Sequence, residues 1–297
     1  MRPGALRFAT VDVFTAVRFG GNPLAVVLEA DGLTTAEMQA VAREFGYSET
    51  SFVLRPADPS HDARVRIFTP TVEVPFAGHP NVGTAFVLAG EARWARAETL
   101  TFEEEAGLVR VAILREGGAA TGARLTAPRP LAQGRAFDPA AVAACASLAA
   151  GDIATATHAP RVATVGLPFV VAEVAARAAL ARARPDRAAF ARHLPMGGEA
   201  DAIYLWCRET EARDGGADLT ARMFAPWDGV EEDPATGSAT AAACALIAAT
   251  EKTPVRAFRV AQGVDMGRPS RMEVRVEAGS VSIGGPCVAV TAGTIAV

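Results

Sequence analysis

The sequence lacks the residues and patterns on which several large classes of protein depend. Its four cysteines lie far apart and form no metal-ligand pair, which predicts reduced, buried thiols and no structural metal site. It contains no phosphate-binding loop of the Walker type and no dinucleotide-binding fingerprint. We therefore expect neither a metal nor an organic cofactor, so that any chemistry has to come from side chains.

Charge and hydropathy argue against two further kinds of partner. The net charge is -4, and the Lys and Arg residues form no basic block. Nucleic acids and anionic membranes both favour a basic face, so neither is expected as a partner. We find no apolar stretch that would serve as a signal peptide or a membrane span. The sequence thus predicts a cytoplasmic protein.

What the chain does contain is enough apolar sequence for a full core. Of its 297 residues, 50% are hydrophobic and 21% are charged, which is typical of a globular protein. A chain of this length is expected to form about two domains. Residues 34–45 follow a Thr34 cap and predict a helix, and residues 82–89 predict an apolar helix. Strand-like runs lie at 8–14, 25–28, 51–54, 64–68 and 108–114.

Short segments of the first half recur in the same order in the second half. Residues 66–70 (RIFTP) are echoed by residues 222–226 (RMFAP), and His79 before a proline is echoed by Asp233 before a proline. In each half a strand leads through a Gly/Pro turn into a helix of small residues. This ordered self-similarity indicates two similar domains related by pseudo-symmetry, with residues 118–134 as the linker.

The two predicted helix starts are the main candidates for a binding site. Free backbone N–H groups and the positive end of a helix dipole favour a carboxylate or phosphate there. We expect Gly78 and His79 at the first start, and Asp233, Gly237 and Ser238 at the second, to bind a small anionic metabolite. If the halves face each other, both starts point into one cleft.

Plain structural roles for the same residues stay open at this point. Asp233 is a good helix N-cap, and His79 has a matching position at the other helix start. Glu49 lies between a predicted helix and an apolar strand, where a solvated loop carboxylate is the ordinary interpretation. The location of Glu49 suggests a chemical role without deciding it.

Six short motifs, taken together, resemble the PhzF-like family of phenazine biosynthesis. They are VDVFT (11–15), GNP (21–23), SET (48–50), FTP (68–70), PFAGHP (75–80) and DPATGSA (233–239). They follow the family's order and extend over nearly the whole chain. The GHP and DPATGSA strings, together with SET, are the most specific of them.

The resemblance implies the diaminopimelate-epimerase fold. This is an α+β fold with two pseudo-symmetric domains, each a barrel-like sheet around a central helix, and with the active site between them. We accordingly predict an N-terminal domain over residues 1–117, completed by a C-terminal strand at about 284–297, and a second domain over 118–283. Because family members are typically homodimers, a homodimer is expected here as well.

The resemblance also implies an activity. The member that names the family isomerises trans-2,3-dihydro-3-hydroxyanthranilate: a glutamate moves a proton from C3 towards C1, and the product enters phenazine assembly. A carboxylate does this best where desolvation raises its pKa towards working pH. Carried over to this sequence, the shuttling glutamate is Glu49, the other catalytic residues are His79 and Asp233, and the substrate-binding residues are Gly78, Gly237 and Ser238.

One departure from the wider superfamily concerns the cysteines. The two-cysteine epimerases place a thiol at each helix start, whereas neither motif here contains a cysteine and Cys244 lies further along the second helix. This favours a single-base proton shuttle over two-thiol racemisation. Two alternatives stay open: a small-molecule binding or regulatory dimer without turnover, and a one-base amino-acid epimerase.

Overall fold

The computed structural model describes residues 4–208, 210–227 and 230–297. The chain divides into unit 1, which runs to Thr126 and includes Gly284–Val297, and unit 2, Ala127–Ile283. Of a loop predicted at residues 227–229, Asp228 and Gly229 lie outside the described residues. None of the helices within the described ranges combines the length and the apolar character needed to cross a membrane.

Unit 1 is built from strands that surround one helix. Its strands are β1 (Leu6–Val13), β2 (Asn22–Val27), β3 (Glu49–Leu54), β4 (Ala63–Phe68), β5 (Glu73–Val74), β6 (Thr99–Glu104), β7 (Gly107–Glu116) and β8 (Ala119–Thr126). Its helices are α1 (Thr35–Phe45) and α2 (Gly78–Ala89). A last strand, β18 (Ser280–Ile295), starts in unit 2 and ends in unit 1.

The strands of unit 1 close into a barrel. Starting from β1, the hydrogen-bonded order is β2, β3, β4, β6, β7, β8 and β18, and β18 pairs again with β1. Helix α2 packs against this sheet and is buried on every side, as a central helix must be. Gly83 permits the close approach, because a Cβ there would lie 2.6 Å from Leu24 Cδ2 and 2.8 Å from Val13 Cγ2.

The signals that predicted α1 from the sequence are present in its structure. The Thr34 hydroxyl accepts a hydrogen bond from the Glu37 amide at 3.3 Å, and the Glu37 carboxylate accepts one from the Thr34 amide at 2.8 Å. This reciprocal capping satisfies two amides that have no partner within the helix. Gly46, in the left-handed region at φ 65°, ends the helix and turns the chain towards β3.

Unit 2 repeats the order of strand pairings seen in unit 1. Its strands are β9 (Ala132–Ala136), β10 (Ile153–Ala154), β11 (Arg161–Thr164), β12 (Pro168–Val174), β13 (Ile203–Cys207), β14 (Leu219–Ala225), β15 (Val230–Asp233), β16 (Val255–Gln262) and β17 (Ser270–Glu277). Its helices are α3 (Pro139–Cys145), α4 (Arg177–Arg182), α5 (Arg187–His193) and α6 (Gly237–Thr250). The pairs β12–β13 and β14–β16 are parallel, as are β2–β3 and β4–β6 in unit 1. The buried helix α6 takes the place of α2.

The repeated segments RIF (66–68) and RMF (222–224), called the RxF segments, form the same side-chain arrangement. Arg66 on β4 makes a bidentate ion pair with Glu73 on β5, in which the Nη2–Oε2 distance is 2.6 Å. Arg222 on β14 makes the corresponding pair with Glu232 on β15, with Nη2 to Oε2 at 2.7 Å. Each pair ties down the short strand that leads towards the central helix of its own unit. The predicted α+β fold of two pseudo-symmetric halves, each with a barrel-like sheet around a central helix, is thereby confirmed.

The segment predicted as a linker is largely strand. Residues 119–126 form β8, which pairs with β7 through a turn at Gly117 and Gly118, both with positive φ. Gly122 lies in β8 where a Cβ would collide with the carbonyl oxygen of Gly285 in β18. The glycines that suggested a flexible linker therefore serve a tight turn and a close strand approach instead.

Unit 2 also contains an ion network centred on a buried arginine. Arg177, which opens α4 and is 1% exposed, donates to Asp214 at 3.0 and 3.2 Å and to Asp265 at 2.9 and 3.1 Å. Asp214 is 0% exposed. Burial by itself raises the pKa of the Asp214 carboxyl, but the hydrogen bonds from Arg177 outweigh it and the pKa lies below its usual value. The network joins α4 to two loops that are remote in sequence.

Candidate active site

In unit 1 the structure brings Glu49 and His79 together. Glu49 is the first residue of β3, and His79 is the second residue of α2. Glu49 Oε2 lies 3.6 Å from His79 Nε2, and the two side chains are 20% and 4% exposed. Glu49 is therefore not the solvated loop carboxylate that its sequence context allowed. The pair combines a carboxylate with an imidazole in a mostly desolvated position.

Two further side chains orient the imidazole. Asn22, at the start of β2, is fully buried and places Nδ2 3.4 Å from His79 Nδ1. Its Oδ1 accepts a hydrogen bond from the Ser48 hydroxyl at 3.0 Å. In this arrangement the amide donates to Nδ1, so a neutral imidazole carries its proton on Nε2, the nitrogen that faces Glu49. The protonated Nε2 of His79 then faces the Glu49 carboxylate at 3.6 Å, an electrostatic contact longer than an ordinary hydrogen bond.

Sequence reasoning gave Asn22 and Ser48 no role, although both lie in motifs it singled out. Ser48 is the direct neighbour of Glu49, and Asn22 belongs to the GNP turn. Their presence in these motifs is the one feature of the sequence that could have pointed to a role in the site. The contact itself joins residues that are far apart in the chain, so spacing could not reveal it.

A side chain from the first turn of α2 contacts the residue at which the helix starts. Gly78 is the first helical residue, and the N-cap, Ala77, provides no side-chain hydrogen bond. Asn81, in the first turn, instead ties the helix to the residue before it, since its Nδ2 donates to the Ala77 carbonyl at 2.9 Å. Pro80 fits the first turn because no intrahelical partner is needed for the N–H it lacks. The first-turn amides that a carboxylate could bind are those of Gly78 and His79.

In unit 2 the structure corrects the capping interpretation of Asp233. Asp233 is the last residue of β15, and the N-cap of α6 is Thr236. The Asp233 carboxylate is 8% exposed and accepts a hydrogen bond from the Thr236 hydroxyl at 2.5 Å. Gly237 and Ser238 are the first two helical residues, and Ser238 is partly exposed. A buried carboxylate thus lies just before the helix start instead of capping it.

The four cysteines lie outside the motifs of both helix starts. All four are free and buried, and Cys244 lies midway along α6. Burial raises the pKa of Cys145 to about 11 and that of Cys287 to about 12, and it raises the pKa of Cys244 well above its usual value. These thiols stay protonated at neutral pH and are unsuited to proton abstraction.

We expect native protein to react very slowly with a thiol-reactive disulfide reagent. Thiolates are the reactive species, and burial suppresses both their formation and their access to reagent. The same reagent should titrate all four cysteines after unfolding in guanidinium chloride. Rapid loss of activity on modification of one native thiol would contradict this and would return a cysteine to the chemistry.

The chain is similar to known proteins over nearly its whole length. The phenazine biosynthesis-like protein family, PhzC-PhzF, matches residues 11–293. An uncharacterized isomerase of Mesorhizobium japonicum is 41% identical over 293 residues, which cover 96% of each chain. The trans-2,3-dihydro-3-hydroxyanthranilate isomerase of Pseudomonas aeruginosa is 35% identical over 274 residues, covering 91% of this chain and 90% of the relative.

Solved structures lead to the same family. The crystal structure of a phenazine biosynthesis protein of the PhzF family from Bacillus anthracis matches with a TM-score of 0.87 at 27% identity, covering 99% of both chains. Together with the sequence matches, this shows that the chain belongs to the phenazine biosynthesis-like (PhzC-PhzF) family and is an isomerase of the PhzF type.

Proposed function

We propose that the protein moves a proton within a small carboxylate-bearing metabolite, without a cofactor, in a reaction similar to that of trans-2,3-dihydro-3-hydroxyanthranilate isomerase. Glu49 is the group that takes the proton from one carbon and returns it to another. The observation that carries this proposal is the Glu49–His79 pair, a carboxylate and an imidazole 3.6 Å apart at the start of a buried helix.

The geometry gives each partner a distinct role in the proposal. His79 turns a protonated Nε2 towards Glu49, because Asn22 occupies Nδ1, and so stabilises the Glu49 carboxylate electrostatically between proton transfers. The backbone N–H groups at the start of α2, including that of Gly78, suit the carboxylate of the substrate. A single residue that both accepts and donates needs no thiol, in agreement with the buried cysteines.

The residues of unit 2 have substrate-binding and charge-tuning roles in the proposal. Ser238 offers a hydroxyl and Gly237 a backbone N–H at the start of α6, both suited to a polar substrate group. Asp233 is held by Thr236, so its carboxyl group has a fixed position. Its proposed part is to position a cationic or hydrogen-bond-donating group of the substrate.

The test is an isomerisation assay in D2O with trans-2,3-dihydro-3-hydroxyanthranilate, followed by NMR. We expect product to form without added metal or cofactor, and deuterium to appear at the newly protonated carbon wherever Glu49 exchanges with solvent between the two transfers. Full activity that disappears on dialysis against a chelator and returns with a metal would contradict the cofactor-free reaction. No turnover of this compound, with turnover of a different unsaturated or amino-bearing acid, would keep the mechanism and replace the substrate.

A further inference from the structure

Glu104 and Gln262 occupy equivalent positions in the two units. Strand β6 runs parallel to β4 with Phe102 opposite Ala63, and β16 runs parallel to β14 with Val260 opposite Leu219. Ala63 precedes Arg66 by three residues, as Leu219 precedes Arg222, so the two registers correspond. Glu104 and Gln262 each end their strand, two residues beyond Phe102 and Val260.

Gln262 organises the start of α6. It is fully buried, and its Nε2 donates to the Asp233 carbonyl at 2.8 Å and to the Thr236 hydroxyl at 3.1 Å. Its Oε1 accepts a hydrogen bond from the Thr236 amide at 3.2 Å. One amide side chain therefore fixes both Asp233, three residues before the N-cap, and the N-cap itself, Thr236. This task needs a donor and an acceptor on the same side chain.

Glu104 faces the start of α2 in the same manner. Both of its carboxyl oxygens are buried, and its side chain interacts with that of Asn81 in the first turn. Asn81 in turn donates to the Ala77 carbonyl, while its Oδ1 is buried. Among the described residues neither Asn81 Oδ1 nor either Glu104 oxygen has a hydrogen-bond partner of ordinary geometry. A proton on Glu104 would supply the donor that Asn81 Oδ1 needs.

We infer that Glu104 is a positioning residue which acts as a neutral acid and does for the Ala77–Asn81 turn what Gln262 does for the start of α6. A protonated glutamic acid is the isostere of glutamine, with one donor and one acceptor. It holds Asn81, Asn81 holds the Ala77 carbonyl, and the turn then sets Gly78 and His79. The inference rests on the proposed function only in giving His79 a chemical role.

The electrostatics around Glu104 favour the protonated form. Burial raises the pKa of Glu104 to about 8, and the nearby Asn81 side chain, which favours the charged form, opposes this only in part. The charged residues lining the adjoining cavity of about 550 Å³ are Arg64, Arg66, Glu73, Glu103 and Glu105. Arg66 is engaged by Glu73, and Glu103 by His61, so these charges are largely compensated among themselves. His79 is the titratable group on α2 itself.

Thermal unfolding as a function of pH tests the proton on Glu104 without any substrate. Since its folded-state pKa lies above the unfolded value, folding takes up a proton between about pH 4.5 and 8. Wild-type stability relative to Glu104→Gln should fall across that range and level off above it. We expect similar Tm values at pH 5 and a Tm for Glu104→Gln about 5 °C or more higher at pH 8.5. The control is Glu105→Gln, at an exposed neighbouring carboxylate, and it should show no such trend.

The positioning role has its own readout. In 15N-labelled wild type, the amide signals of Gly78 and His79 should shift with a midpoint near pH 8, whereas Glu104→Gln should hold them in the low-pH position throughout. Glu104→Leu should displace both signals at every pH while the protein stays folded. With an accepted substrate, Glu104→Gln should keep the kcat of wild type but not the decline of kcat that wild type shows near pH 8. Glu104→Leu should lower kcat at least tenfold.

The reciprocal variant, Gln262→Glu, should make Tm decline at alkaline pH, because it places an ionisable carboxyl group at the start of α6. A Tm difference between wild type and Glu104→Gln that is flat from pH 5 to 9 would overturn the neutral-acid state. Unchanged Gly78 and His79 signals in Glu104→Leu would overturn the positioning role. Neither readout uses turnover, so an inactive Glu49→Gln or a wrong substrate leaves this test intact.

Discussion

Replacing Glu49 by glutamine is expected to lower kcat by about two to four orders of magnitude, the usual share of general acid–base catalysis. Glutamine keeps the size and polarity of the side chain, but it cannot accept the proton and return it. Substrate affinity should change little, because the helix start and His79 provide the binding groups. Steady-state kinetics with the authentic substrate, supported by a circular dichroism spectrum of each variant, gives the measurement.

Asp233→Asn is the matched control for the loss of a buried site carboxylate. Asparagine can still accept the hydrogen bond from Thr236, so the local structure should persist. We expect a smaller loss of kcat than in Glu49→Gln, because Asp233 has a positioning role in the proposed reaction. If Glu49→Gln turns over at nearly the wild-type rate while Asp233→Asn is inactive, the base is Asp233 and the assignment of Glu49 is wrong.

Arg177→Met should lower the free energy of unfolding at pH 7 by about 3–5 kcal/mol. Methionine fills much of the volume but leaves the carboxylates of Asp214 and Asp265, which are 0% and 9% exposed, without the guanidinium that pairs with both. Urea denaturation of the full chain measures the effect. Arg182→Met is the control on the same helix, since its ion pair with Asp152 is 55% exposed on the arginine side and should contribute at most about 1 kcal/mol.

The same network gives a pH dependence of known sign. The folded-state pKa of Asp214 lies below its unfolded value of 3.8, so its stabilising contribution is complete above that value. It is lost as pH falls through the folded-state pKa. The stability difference between wild type and Arg177→Met should therefore narrow below about pH 4. A difference that stays constant from pH 7 to pH 3 would show that the buried carboxylates are not what the substitution exposes.

The parts of the structure that were predictable depend on local sequence. Helix α1 carries its own capping residues, Thr34 and Glu37, and ends at Gly46, so its bounds follow from a short stretch of chain. The repeated RxF segments revealed the pseudo-symmetry because each places the same arginine on the same strand. In both cases the decisive residues are neighbours or exact internal echoes.

The parts that were missed depend on contacts between distant residues. The sequence left open whether Asp233 caps α6, and the outcome depends on Gln262, on the next long strand, which holds the Thr236 amide and the Asp233 carbonyl. Residues 118–134, predicted as a linker from their Gly, Pro and Thr content, contain the junction between the units at Thr126 and Ala127, but most of them are strand. The close contact of Gly122 with Gly285 cannot be seen in the local sequence. Likewise, nothing in the spacing of Asn22 and Ser48 shows that they share a hydrogen bond behind His79.

The path of β18 has a consequence for synthesis on the ribosome. Unit 2 is one continuous stretch, Ala127–Ile283, and can fold as soon as it has left the exit tunnel. The barrel of unit 1 cannot close then, because β1 and β8 both pair with β18, whose unit 1 part is made after all of unit 2. The edges of β1 and β8 therefore stay unpaired until β18 has been synthesised. A nascent chain stalled after Ile283 should expose unit 1, but not unit 2, to protease and chaperones.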